Sequence, residues 1–154
     1  MEKLVLVADR VKMSKLVAFE KMGGRSSLIL INKIFYDKVY KHPWLKLYFE
    51  QIPQQLIEGQ QVDFMQKVLG GENLYIGKAP PIAHMHIMIN EDIFQVRKKL
   101  LEEAFVEADA DPELISKWLS LDNSFKRVIF KDSSAQCKRR FNTDSILDFP
   151  DPQK

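Results

Sequence analysis

Five breaks punctuate this chain, and between them the apolar residues keep a helical period. Gly23-Gly24, Pro43, Gly70-Gly71, Pro80-Pro81 and Asp111-Pro112 are residue types on which helices stop or start. No useful length of sequence alternates with the period of two that a half-buried strand requires. The pattern predicts an all-α fold, with an irregular connection from Gly70 to Ala79 and no internal repeat.

The segments follow from those breaks. Val11 to Met22 has an apolar helical pattern closed by Gly23-Gly24. Ser26 or Ser27 is a candidate cap for the next helix, in which Leu28, Ile31, Phe35 and Val39 repeat at helical spacing. Pro43 ends that helix, because the residue before proline is pushed out of the helical region. A short turn, Trp44 to Phe49, leads to a periodic stretch from Gln54 to Leu69. Ile57, Gln60, Gln61 and Phe64 share one face of it.

Pro80 and Pro81 suit only a helix's first turn, so a short helix is expected there, carrying His84 about one turn in. Asn90 is a cap for a helix from Glu91 to about Ala108. Asp111-Pro112-Glu113 combines an N-cap aspartate, a first-position proline and an acid in the first turn, and predicts a helix to about Phe130. Three zones result: a 1–12 extension, a 13–131 domain and a polar, basic tail over 132–154. Composition in the tail predicts poor order. The alternative is an arm docking Phe141, Ile146, Leu147 and Phe149.

The 154 residues suffice for one domain with a sizeable core. A net charge of +2 gives no strong pull toward nucleic acid or a membrane surface. Cys137 is the single cysteine, which excludes an intrachain disulfide and a cysteine-built zinc or iron–sulfur site within one chain. The first ten residues interrupt their apolar stretch too soon for a secretory signal, and no run is long enough to span a bilayer. The expected location is cytoplasmic.

Three histidines could ligate a metal. His42 precedes Pro43 beside a lysine at a helix end, which suits a solvated residue. His84 lies in the apolar run Ala83-His84-Met85-His86-Ile87, with Phe94 ten positions on. His86 would sit about 200° round a helix from His84, so both cannot face one metal. Residues alone leave all three as structural or exposed candidates. Tyr36 reads equally as a core tyrosine bonded to a backbone carbonyl, Gln60 as part of a solvated face, and Phe49 and Phe64 as plain core.

A family resemblance separates these readings. Phe19-Glu20-Lys21-Met22-Gly23-Gly24, Phe35-Tyr36 followed by Pro43, Leu69-Gly70-Gly71 with Tyr75-Ile76-Gly77, and Ala83-His84 with Phe94 resemble, in order, motifs of the group I truncated haemoglobins. The resemblance runs from about Val17 to Lys131. Separations of 13 residues from Tyr36 to Phe49, 12 from Phe49 to Gln61 and 23 from Gln61 to His84 agree with that family's spacing. Pro80-Pro81 departs from it, standing where the family usually has a Ser-Met-type helical run.

The resemblance implies a two-over-two globin fold that holds haem b through His84. Phe49 would stack on the porphyrin, with Phe64 and Tyr75 nearby and Ile57 at the distal gate. Tyr36 would donate its phenol proton to bound dioxygen, with Gln61 donating from its amide and orienting Tyr36. Gln60 is a further distal candidate, and as glutamine it leaves the sixth iron position open. The implied function is reversible dioxygen binding, with nitric oxide and carbon monoxide as other ligands. Nitric-oxide dioxygenation or peroxide chemistry would need an external reductase, since the chain has no flavin or nicotinamide motif. The other class of answer is a gas or redox sensor, or a haem-free interaction module acting through its extensions.

Overall fold

The computed structural model describes residues 2–154, and the all-α expectation holds. Six α-helices are present: α1 (Glu2–Lys21), α2 (Gly24–Val39), α3 (Gln54–Val68), α4 (Pro80–Ala83), α5 (Glu91–Glu107) and α6 (Pro112–Ile129). Short 3-10 turns cover Leu45–Tyr48 and Ser134–Gln136. Among the described residues no helix is long and apolar enough to cross a membrane.

Local chemistry explains most boundaries. The first helix begins well before Val11, because nothing from Glu2 to Arg10 breaks it. Gly23 stands between α1 and α2 at φ 110°, and a Cβ there would lie 2.6 Å from that of Ser27, so only glycine fits. No side chain caps α2. Ser26 and Ser27 lie inside the helix rather than at its start, and Ser26 instead donates to the Gly23 carbonyl. Asn90 accepts from the Ile93 amide and Asp111 from those of Glu113 and Leu114, the two side-chain caps that the sequence signalled.

Helix α2 forms the centre of the packing, lying against α3 and α5. Its buried stripe of Leu28, Ile31, Phe35 and Val39 meets Val62 and Met65 of α3 and Leu101 and Phe105 of α5. Leu114 and Trp118 of α6 close the core, with Trp118 edge-on to Phe105 at 5.3 Å. Full burial of such side chains stabilises by about 1.5–3 kcal/mol each.

The tail packs on the domain, contrary to its polar composition. Ile87 and Leu147 pair in a parallel bridge. The Phe149 ring meets Tyr48 edge-on at 5.1 Å, and its carbonyl accepts from the Trp44 indole at 2.7 Å. Docking runs through Leu147 and Phe149, whereas Phe141 is exposed and lies beside the Lys78 ammonium at 4.9 Å. Ile146 also stays exposed.

Candidate haem site

The short helix α4 ends one residue earlier than its sequence suggests. Proline at both of its first two positions fits an opening turn, whose amides have no intrahelical acceptor; the helix makes a single turn, and His84 is its C-cap rather than a residue inside it. That position lets the Pro80 carbonyl receive both the His84 amide at 3.1 Å and the ring Nδ1 at 2.7 Å. A carbonyl only accepts, so Nδ1 carries the proton and Nε2 presents a lone pair. Burial holds the imidazole pKa below its ordinary value, and Arg97 and Lys131 push the same way. A neutral, oriented ring nitrogen is what an axial metal ligand requires.

Tyr36 is buried on α2 with its ring edge-on to Phe35 at 4.8 Å and to Phe49 at 5.9 Å. Among the described residues its hydroxyl has no hydrogen-bond partner, so the carbonyl-bonded core reading finds no support. Burial pushes the phenol well above its usual range, which keeps it a proton donor. Phe49 follows the Leu45–Tyr48 turn and, like Ile57 and Gln61 of α3, is half-buried. Gln60 is exposed, on the solvated face. Phe64 groups with Tyr75 at 5.2 Å and Phe125 at 5.7 Å, and the Tyr75 hydroxyl donates to the Lys78 carbonyl at 2.6 Å.

His86 is buried, with Nδ1 lacking a partner, and its main chain pairs with the tail. His42 is not merely solvated: its Nδ1 accepts from the amides of Trp44 and Leu45, each at 3.2 Å. An open cleft of about 920 Å³ between α1, the end of α3 and α6, lined by Lys12, Lys15, Lys67 and Lys117, includes none of the predicted site residues.

The sequence reading passed over one ion pair. Arg97 donates to Asp122 at 2.7 Å and 3.5 Å, and its guanidinium lies over Phe35, 5.5 Å from the ring centre. The Arg97 charge acts on both Tyr36 and His84, and burial is the largest influence on Arg97 itself. A third of its side chain nonetheless stays accessible. The signal was legible: Phe94, Arg97, Leu101 and Phe105 share one helical face, and Asp122 falls on the Leu114, Trp118, Phe125 face of α6. A charge on each of two facing apolar stripes marks a buried pair.

Comparison with known proteins agrees with this architecture. The family pattern described as bacterial-like globin matches residues 17–131. A group 1 truncated hemoglobin of Tetrahymena thermophila is 29% identical over 99 residues, covering 64% of this chain and 82% of that protein. Its Tetrahymena pyriformis counterpart is 35% identical over 66 residues, covering 43% of this chain and 54% of the relative. The crystal structure of the truncated hemoglobin from T. pyriformis in its Fe(III) form superimposes with a TM-score of 0.65 at 24% identity, over 74% of this chain and 97% of that one. The 2/2 hemoglobin of Synechococcus sp. PCC 7002, solved with covalently attached heme, gives 0.63 at 22% identity, over 71% and 93%. Pattern, relatives and fold converge: the chain belongs to the bacterial-like globins, as a two-over-two globin of the group I truncated haemoglobins.

Proposed function

We propose that this globin binds haem b through His84 and reversibly holds dioxygen beneath Tyr36 and Gln61. The observation that carries the reading is the neutral His84 ring, locked by the Pro80 carbonyl with Nε2 left as its free base. Haem supplies an iron with four equatorial ligands already filled, so a single protein imidazole suffices to hold it. The apolar sides of Phe49, Phe64 and Ile57 suit a flat macrocycle, and Tyr75 backs Phe64.

The distal residues divide the remaining work. A protonated Tyr36 hydroxyl with no protein acceptor is free to donate to a partly negative ligand. Solved structures of the T. pyriformis protein include one tyrosine-to-phenylalanine and two glutamine-to-glutamate variants, with the glutamines 21 and 25 positions after the tyrosine. The same separations from Tyr36 reach Ile57 and Gln61. Ile57 replaces one amide by a hydrocarbon, leaving Gln61 as the amide donor on that face. Gln60 stays a solvent-facing reserve. Nitric-oxide dioxygenation or peroxide chemistry would draw electrons from an external reductase.

Spectroscopy tests the reading directly. Protein purified with haem supplied should carry a Soret band that shifts among ferric, ferrous and oxygenated forms. Folded but colourless protein would overturn it, in favour of a haem-free interaction module.

A further inference from the structure

The most unusual local feature lies along the main chain that carries His84. Four successive carbonyls, from His84 to Ile87, each accept a donor from the chain beyond α6. The Lys131 ammonium donates to the carbonyls of His84 at 2.9 Å and Ile87 at 2.7 Å, and to its own helix end at Ile129 at 3.1 Å. The Lys138 amide donates to Met85 at 2.7 Å and the Leu147 amide to His86 at 2.9 Å. Met88 returns the pairing, its amide donating to Leu147 at 2.8 Å.

We propose that Lys131 and the Lys138–Leu147 segment form a proximal strap, which sets the position and tilt of the His84 imidazole by fixing the main chain that carries it. The inference rests on His84 being the haem ligand. The need for such a strap follows from α4 itself. One turn of helix with two prolines is far below the length at which a helix holds its own shape. The turn after it, His84 to Met88, has two internal main-chain bonds behind it, Met85 to Ile82 and Ile87 to His84. The carbonyls from His84 to Ile87 and the Met88 amide are all satisfied from the strap. A lysine sharing its three protons among three carbonyls is fully used, and its loss would break all three bonds and leave the Ile87 carbonyl without its donor.

The strap makes Lys131 a positioning residue, and acting through the main chain gives it a signature that packing alone lacks. The test uses full-length, haem-loaded protein and reads two quantities: the iron–histidine stretching band of the ferrous, ligand-free form by resonance Raman, and the rate of haem loss to an excess of acceptor apoglobin. Lys131→Met should shift or broaden the band and speed haem loss about tenfold, the scale of a lost charge-assisted hydrogen bond. Lys131→Arg, which keeps charge and several donors, should restore both toward the parent. Leu147→Pro removes the amide donor to His86 together with the docked leucine side chain and should act in the same direction. In haem-free protein both the Met and Pro variants should also speed amide exchange at Ile87 and Met88. A lowered melting temperature with an unmoved band would make the tail a structural brace and overturn the proposal. A parent protein that binds haem but shows no iron–histidine band would overturn the assignment of His84 itself.

Discussion

The ring Nδ1 of His84 sits 2.7 Å from the carbonyl oxygen of Pro80, one helical turn behind it in the chain. That bond forms where His84 caps the helix instead of extending it, its ring reaching back to the carbonyl that also accepts its amide. It determines the tautomer, and so which nitrogen keeps its lone pair.

A direct consequence separates the neighbouring histidines. His84→Ala should lose most bound haem, or retain it in a form that exogenous imidazole restores to the parent spectrum. His86→Ala should leave the Soret band in place, because that ring is buried with no partner at Nδ1 and lies in the stretch whose main chain pairs with the tail. Titrating haem into both variants and recording absorbance checks this; equal loss in the two would remove His84 from its role.

On the distal side, Tyr36→Phe keeps the ring packing against Phe35 and Phe49 and removes only the hydroxyl. A hydrogen bond to a partly charged acceptor is worth about 1.5–3 kcal/mol. Oxygen dissociation should therefore accelerate roughly 10- to 150-fold, with carbon monoxide responding far less. Stopped-flow ligand exchange measures both. Gln61→Leu should act in the same direction, and less than additively with Tyr36→Phe if it orients the phenol.

The Arg97–Asp122 pair should report as a unit. Asp122→Asn strands a partly buried guanidinium and should cost about 1–3 kcal/mol, discounted from the fully buried case because Arg97 keeps a third of its side chain accessible. The joint change Arg97→Leu with Asp122→Leu should cost less than Asp122→Asn alone, since no charge is left unpaired. Thermal unfolding of the three proteins decides it; a larger loss in the double variant would contradict the pairing argument.

Acid should loosen the tail before the core. Arg140 holds the Asp144 carboxyl well below its ordinary value of 3.8, through its side chain and its backbone amide. A depressed carboxylate contributes fully above about 3.8 and loses its contribution as pH falls below it. Amide exchange at Leu147 should rise in that range, and Asp144→Asn should show the raised rate already at neutral pH. A pH-independent rate in the parent would break the link between this ion pair and the strap.

Phe149→Ala should lower the melting temperature by a few degrees, since it removes a half-buried ring from Tyr48 while the bond from the Trp44 indole to the residue's carbonyl can persist. An unchanged midpoint would mean that the tail is held by its backbone alone.

The helical order was readable because each signal is local. Gly23, Asn90, Pro112 and Asp111 act on the residues beside them, and the apolar periods of α2, α5 and α6 need no tertiary knowledge. The family motifs added Tyr36, Phe49, Gln61 and His84 as a set, although burial and hydrogen-bond partners were beyond them. Arg97 and Asp122 were overlooked because each seemed an ordinary helical charge until the facing stripe was considered.

What the sequence by itself determined is therefore the all-α class and the start and stop of most helices. Tertiary structure alone decided the rest: that His84 ends its helix instead of riding inside it, that Arg97 and Asp122 meet, and that Leu147 and Phe149 leave a polar tail to dock. The reason is physical. Caps and periods are set by neighbours within a turn, whereas Lys131 acquires two of its three carbonyl partners only when residues 44 and 47 positions apart are brought together. No local propensity encodes that meeting. It follows from the hydrophobic packing that fixes α6 against the turn after α4, and from the rule that buried carbonyls must find donors.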